Sequence, residues 1–327
     1  MSGFYERLRE ILAKDCVKTE EPMKNHTTFR IGGPAKYYVT PRTEEELVKT
    51  VNLCRGEGTA FCVIGNGSNL LADDDGYEGV VVSTEALVSL EISPVTAGTE
   101  GLEKYTVTAS SGILLSRLAR QTAEESLTGL EFAAGIPGTL GGAVVMNAGA
   151  YGSEMKDVLG WARVLTGEGQ ILELPAEELA LGYRTSCIAR NGYVVLAAGL
   201  RLVKGQQEEI YKTMEEFARR RREKQPLEYP SAGSTFKRPH GYFAGKLIDD
   251  SGLRGFRVGD AQVSEKHCGF VVNRGNATAS DVTKLCDEVK RRVRELWGVE
   301  LELEVKRLSG AKKRDGGSKD TTKGKEV

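Results

Sequence analysis

No sign of charge prevails in this sequence. Lysine plus arginine (45) and aspartate plus glutamate (46) nearly cancel over 327 residues, leaving a formal net charge of -1. That excludes the electrostatic footprint of a nucleic-acid-binding protein. Paired cysteines are missing as well: the six cysteines (16, 54, 62, 187, 268 and 286) are scattered without any Cys-x-x-Cys. Several, such as Cys62 and Cys286, lie inside apolar or helical patterns, which favours reduced, buried thiols in a cytoplasmic protein over a disulfide frame. Histidine is scarce, and His26, His240 and His267 lie too far apart for metal-ligand spacing, so no metal is expected. No apolar run approaches the length of a membrane span. Residues 1–14 are amphipathic and charged, unlike a secretory leader. Two common signatures are also absent, the phosphate loop Gly-x-x-x-x-Gly-Lys-Ser/Thr and the hydrolase elbow Gly-x-Ser-x-Gly. There is no internal repeat. The expectation is a soluble cytoplasmic enzyme of two or three domains, with no membrane insertion.

Glycine, by contrast, is concentrated in two places. From Gly135 to Gly152 the sequence reads Gly-Ile-Pro-Gly-Thr-Leu-Gly-Gly-Ala-Val-Val-Met-Asn-Ala-Gly-Ala-Tyr-Gly, a nearly bare backbone. Such density is usual where the chain needs positive φ or another body comes close. A turn at Gly135–Gly138 aims several N–H groups at one point, and a helix opening at Thr139-Leu140 favours an anion in the same place. The second cluster, Gly65-Asn66-Gly67-Ser68-Asn69-Leu70, follows the apolar run Phe61–Ile64. It begins like Gly-x-Gly-x-x-Gly, but Leu70 stands where the third glycine belongs. Alone, the turn at 65–69 is more often a hairpin or loop than a ligand site; with the stretch 135–152 it predicts a dinucleotide cofactor lying along bare backbone.

Periodicity supplies the frame. Residues 1–20 read as a helix, and 35–40 as a short strand. A helix starts after Thr43, with Glu46 completing a capping box. Strands are expected at 61–64, 80–83, 87–92 and 105–109, and a helix at 114–125 behind Ser110-Ser111-Gly112. Strands 162–166 and 171–174 flank the hairpin turn Gly167-Glu168-Gly169, and a longer strand covers 193–203. A charged helix spans 205–224 with Ile210, Met214 and Phe217 on its buried face. Beyond it lie a helix at 244–250, a strand at 270–273, a helix at 279–297 and an alternating strand at 299–307. Strands alternating with single helices argue for an α+β or α/β fold, and hairpins after residue 160 argue against a purely parallel sheet. The tail from 309 is polar and expected to be disordered.

Three motifs carry polar residues in unusual company. In Gly182-Tyr183-Arg184-Thr185-Ser186, Arg184 is either a surface cation or a fixed bidentate donor for a carboxylate. In Ala232-Gly233-Ser234-Thr235-Phe236, Ser234 is either a turn residue or a proton donor. In Glu300-Leu301-Glu302-Leu303-Glu304, alternation puts three glutamates on one face; a solvated edge explains that, but one of them can reach a cleft as a catalytic carboxylate. The run Arg219–Arg222 suits a helix end, and Lys237, Arg238, Lys246, Lys266 and His267 are basic groups that can gather around a diphosphate.

Taken in order, these residues resemble the UDP-N-acetylenolpyruvoylglucosamine reductase (MurB) family over roughly residues 15–308. The resemblance rests on Thr28-Phe29-Arg30-Ile31-Gly32-Gly33-Pro34-Ala35, Gly65–Asn69, Gly135–Gly142, Met146–Gly152, Tyr183–Ser186, Ala232–Pro239, Gly245–Asp249 and Glu304-Val305-Lys306. The chain is similar to the shorter type, since Tyr183-Arg184 runs straight into Ser186-Cys187-Ile188 without the inserted segment that carries a clamping tyrosine. Arg238 stands where the longer type has an asparagine.

The resemblance implies an FAD-binding domain of the PCMH (vanillyl-alcohol-oxidase) type, made of two α+β subdomains, and a smaller C-terminal α/β substrate domain. The implied boundaries are 1–27 for the N-terminal helix and lead-in, 28–204 for the FAD domain, 205–308 for the substrate domain and 309–327 for the tail. It also implies non-covalent FAD, with NADPH as co-substrate, and reduction of UDP-N-acetylglucosamine enolpyruvate to UDP-N-acetylmuramate by a monomer or weak homo-oligomer. The implied catalytic residues are Ser234 as proton donor with Arg184 and Glu304, the latter with a raised pKa. Implied cofactor contacts are Gly65, Asn66, Gly67, Ser68, Asn69, Leu70, Ser111, Gly112, Gly135, Ile136, Pro137, Gly138, Thr139, Gly142, Ala143, Asn147, Gly149 and Ala150. Implied substrate contacts are Tyr183, Lys224, Arg238, Tyr242, Lys246, Lys266 and His267. Two alternatives stay open: another non-covalent FAD oxidoreductase of this fold, or a non-catalytic nucleotide-sugar binding protein.

Overall fold

The computed structural model describes residues 3–95 and 103–310. Its first part contains helix α1 (Phe4–Ile11), strands β1 (Val17–Pro22) and β2 (Pro34–Val39), helix α2 (Glu44–Gly56), and strands β3 (Phe61–Ile64), β4 (Leu70–Ala72) and β5 (Tyr77–Ser83). The helix expected over residues 1–20 therefore stops at Ile11. From Val17 the chain pairs antiparallel with β2, and the alternative partner overrides the weak helical pattern of a charged segment. Thr43 caps α2 by accepting from the Glu46 amide. The sheet runs β1-β2-β5-β3, with β5 parallel to both neighbours. A central parallel strand is covered on both faces, and Val80, Val81 and Val82 are accordingly fully buried.

The second part holds β6 (Leu90–Pro94), β7 (Lys104–Ser110), α3 (Leu115–Glu124), β8 (Leu127–Thr128), α4 (Leu140–Met146), β9 (Gly149–Ala150), β10 (Ser153–Glu154), β11 (Leu159–Leu165), β12 (Ile171–Pro175), α5 (Cys187–Asn191) and β13 (Val194–Lys204). Its main sheet, β12-β11-β13-β7-β6, is antiparallel throughout, as the hairpin signals predict. Leu115, Leu118, Leu140 and Val144 from α3 and α4 fill its core with Val107, Val164 and Leu200. Leu165, Val194 and Leu196 cross into the first core beside α1 and α2, which ties the two sheets together.

The third part has α6 (Gln207–Lys224), β14 (Ser231–Ser234), α7 (Ala244–Asp250), β15 (Arg257–Val258), β16 (Ala261–Val263), β17 (Phe270–Asn273), α8 (Ala279–Trp297) and β18 (Lys306–Leu308). Its sheet runs β14-β17-β16-β15, with α8 packed on it through Val282, Leu285, Val289 and Val293. The strand expected at 299–307 is shorter. Only Lys306–Leu308 forms one, and it pairs in parallel with β4 of the first part. Leu303 makes an isolated bridge to Phe236 instead. Divided between two partners, the segment does not keep its alternation: Glu300 and Glu302 are exposed while Glu304 turns inward. The tail expected to be disordered lies, from residue 311, outside the described residues. No helix among the described residues is long and apolar enough to cross a membrane.

Candidate active site

The two glycine turns touch each other. Leaving β3, the turn 65–69 needs two bare positions: a side chain at Gly65 would strike the Thr139 hydroxyl, and Gly67, at φ +58°, lies against the His26 carbonyl. Asn66 Nδ2 donates to the Pro137 carbonyl at 2.6 Å, which fixes one turn to the other. As expected, Thr139 is the extended residue from which α4 opens. The Leu140 and Gly141 amides donate to the Ile113 and Ser111 carbonyls, so Ser111 and Gly112 are held against the start of this helix. Gly135 is pinned from outside, because Arg221 of α6 donates to its carbonyl. Asn147 is buried at φ 43° as the helix C-cap. Its amide donates to Glu154 at 2.9 Å and to the Gly182 carbonyl at 3.1 Å, while its oxygen accepts from the Lys156 amide. Asn147 therefore supports the loop that precedes Arg184. Gly149 and Ala150 form β9, where Gly149 closes tightly on Ser153 and Glu154.

Arg184 stands at φ 55° in a tight turn closed by mutual hydrogen bonds between Gly182 and Thr185. That strained tip aims the guanidinium across 120 residues of sequence, and Nε donates to Glu304 Oε1 at 2.6 Å. Both side chains are largely covered, at 21% and 12% exposure. Burial pushes the Glu304 carboxyl above the usual carboxylate range, against a smaller downward pull from Arg184 and then Lys237. Backbone pairing places Glu304: its amide donates to the Thr235 carbonyl at 2.9 Å, and the Lys237 amide donates to the Glu302 carbonyl at 2.8 Å. Ser234, next to Thr235, is exposed at the end of β14 and pairs with Phe270 of β17. The Thr235 hydroxyl accepts from the Val271 amide, so the residue between Ser234 and Phe236 is locked into the sheet. Ser186, by contrast, is a helix cap whose hydroxyl also donates to the Val145 carbonyl.

A rim of aromatic and basic side chains adjoins this pair. The Tyr183 ring lies 5.3 Å from the Arg184 guanidinium, and its hydroxyl accepts from the Arg238 amide at 3.0 Å. Arg238 in turn lies 4.5 Å over the Phe243 ring, beside the exposed Tyr242. Other expected substrate contacts stand apart. Lys246 pairs with Asp250 on the outside of α7. Lys266 Nζ donates to the Arg222 carbonyl at the end of α6, close to the exposed Lys224. His267 is half-buried, accepting from the Gly269 amide, and burial pushes its pKa down. Sequence reasoning missed Phe243, and it placed Arg221 only within a run of four arginines.

Residues 225–308 match the family "UDP-N-acetylenolpyruvoylglucosamine reductase, C-terminal domain", and residues 35–175 match "FAD binding domain". A UDP-N-acetylenolpyruvoylglucosamine reductase of Lachnoclostridium phytofermentans is 55% identical over 307 residues, covering 94% of this chain and 97% of that protein. The chain belongs to the UDP-N-acetylenolpyruvoylglucosamine reductase family. The reductase of that name from Clostridioides difficile is 50% identical over 305 residues, covering 93% and 97% of the two chains. The crystal structure of the Thermus caldophilus enzyme, 38% identical, superposes with a TM-score of 0.72 over 90% of this chain and 98% of that one.

Membership in the reductase family makes the chain an FAD-dependent oxidoreductase, with a flavin-binding fold of the vanillyl-alcohol-oxidase type followed by a smaller α/β unit. The residues present fit the flavin nucleotide. Ser111 Oγ and Thr139 Oγ1 are buried hydroxyls that no protein group satisfies, and both belong to the turns around the start of α4. Buried hydroxyls are ordinarily paired, and diphosphate oxygens accept such bonds. At Gly138 and Gly142 the nearest atoms to a notional Cβ are 3.6 and 3.8 Å away. Packing within the protein does not demand these two glycines, so their bare backbone leaves room for a bound group to come close.

Proposed function

We propose that this chain reduces UDP-N-acetylglucosamine enolpyruvate to UDP-N-acetylmuramate at the expense of NADPH, as a cytoplasmic step of peptidoglycan precursor synthesis. The observation that carries the reading is the meeting of Arg184, Glu304 and the Ser234 strand through the 2.6 Å contact and the Glu304–Thr235 hydrogen bond. A protein that only bound a nucleotide sugar would not need a guanidinium, a largely buried carboxyl and an exposed hydroxyl on one framework. Bound FAD supplies the hydride chemistry that no side chain has. What remains for the chain itself is charge and a proton. Reduction adds hydride to the terminal vinyl carbon and a proton to the carbon bearing the carboxylate. Negative charge grows toward that carboxylate, so the Arg184 guanidinium stabilises the transition state more than the ground state. Burial raises the Glu304 pKa, and in its protonated form Glu304 donates a hydrogen bond to the same developing charge where an ionised carboxylate would repel it. The Ser234 hydroxyl delivers the proton, and its exposure leaves it open to replenishment from water. Tyr183, Arg238, Tyr242 and Phe243 offer planar and cationic surfaces to the nucleotide diphosphate.

The test is anaerobic. Addition of NADPH to the purified yellow protein is expected to bleach its absorbance near the flavin bands, and the enolpyruvyl nucleotide to restore it. Bleaching without restoration overturns the substrate assignment, and a protein that neither carries nor takes up FAD overturns the whole reading.

A further inference from the structure

We propose that Asn69 is a positioning residue for Glu304, so that the turn 65–69 joins the seat of the cofactor to the acid group. The inference rests on the functional reading above, in which Glu304 acts on the substrate. Asn69 ends the first glycine turn, where a role toward the cofactor alone would leave its amide facing the bound group. Instead its Nδ2 donates to the Glu304 carbonyl at 3.1 Å, and its own carbonyl accepts from the Lys306 amide at 2.9 Å. These two bonds bracket residues 304–306 from the side of the first sheet. From the opposite side the Glu304 amide is taken by Thr235, the neighbour of Ser234. Both polar groups of the Glu304 main chain are thus fixed by different parts of the fold, and from that fixed base its side chain meets Arg184. The other asparagine of the turn behaves alike, with Asn66 Nδ2 on the Pro137 carbonyl. Both side-chain amides of the turn therefore serve as struts between chain segments.

A strut of this kind acts on geometry. Misplacing a reacting group by about 1 Å is enough to lower a rate by about a hundredfold, whereas removal of a strut leaves the cofactor's own contacts in place. The experiment uses the holoenzyme and compares wild type with Asn69→Ala, Asn69→Asp, Glu304→Ala and the double variant Asn69→Ala/Glu304→Ala. Asn69→Asp keeps the shape but replaces the donor by an acceptor, so it guards against an alanine variant that fails to fold. Three quantities are read: FAD dissociation constant, rate of flavin reduction by NADPH, and rate of reoxidation by UDP-N-acetylglucosamine enolpyruvate. Compared at saturating FAD, both single Asn69 variants are expected to lose about tenfold to a hundredfold more in reoxidation than in reduction by NADPH. The double variant is expected to be no slower than Glu304→Ala, because the two residues act as one unit. A weakened FAD affinity with wild-type reoxidation at saturating FAD would overturn the proposal in favour of a plain cofactor contact. Multiplying losses in the double variant would overturn it equally. A wild-type protein that NADPH reduces but this substrate leaves reduced would overturn the proposed function first, and is distinguishable because no Asn69 variant is needed to see it.

Discussion

Glu304 lives under opposed influences, and the outcome is readable in pH. Burial raises its pKa and Arg184 draws it partly back. Because the folded value lies above the unfolded one, the associated stability is complete below the ordinary carboxylate pKa and is lost as pH rises through the raised value. Activity that needs the neutral acid follows the same direction, so flavin reoxidation is expected to decline on the alkaline side of that value. Glu304→Gln, permanently neutral, should flatten this limb while lowering the plateau; a limb that persists in the variant assigns it to another group. Ser234→Ala should leave reduction by NADPH intact and slow reoxidation by about 10²–10⁴-fold, measured by stopped-flow absorbance. Equal loss in both half-reactions would remove Ser234 from the proton step. All three groups were recognisable by motif, yet their mutual geometry was not. Nothing in the alternation of 300–304 tells which glutamate turns inward, since that depends on the bridge from Leu303 to Phe236 and, across 235 residues of sequence, the hold of Asn69 on Glu304.

At the scale of elements, sequence periodicity was informative wherever one partner face dominates. The helix expected at 279–297 agrees with α8 to the residue, and the structure adds a Thr278/Asp281 capping box at its start. The stripe on α6, Ile210, Met214 and Phe217, continues at helical spacing to Arg221, which is how one arginine in a run of four comes to face the protein. Its neighbours Arg219 and Arg220 pair with Glu216 on the helix surface. In the same register the Phe217 ring stacks on Tyr151 at 4.2 Å, and the Tyr151 hydroxyl donates to the Phe217 carbonyl. Helix α6 thus grips both ends of the second glycine stretch. Arg221→Ala should weaken FAD retention by about tenfold, the worth of roughly one hydrogen bond to a charged group, whereas Arg219→Ala should not; fluorescence of released flavin measures both. Helix α8 shows what no local pattern reveals. Its first two amides, of Ala279 and Ser280, donate to Asp74 from the first part of the chain at 2.7 and 3.0 Å. Asp74→Ala should destabilise the protein by about 1 kcal/mol, and Asp74→Asn by less, as denaturant midpoints would show.

On the scale of the molecule, the site lies where the three parts of the chain meet. Asn69 comes from a turn of the first, Arg184 from a turn of the second, and Ser234 and Glu304 from the third. Thr28 repeats the arrangement: its amide donates to the Gly67 carbonyl and its hydroxyl to the Ser231 carbonyl at 2.7 Å. A cofactor seated among these parts should stabilise all of them together. FAD at a hundredfold excess over its dissociation constant adds about 2.7 kcal/mol, expected as a rise in melting temperature of about 5–10 °C over the apoprotein. Differential scanning calorimetry of both forms tests this, and an unchanged transition would mean that the flavin does not bind the folded state.

The parallel pairing of β18 with β4 has a consequence for how the protein is made. Leu308 is buried with Met23, Tyr38 and Val81, and its carbonyl accepts from the Asp73 amide, so β4, made early, waits for residues 306–308 before its strand pair can form. A polypeptide released before Glu304 would lack that residue and β18 at once. On the functional reading proposed above, such a shortened product is expected both to be inactive and to leave β4 unpaired.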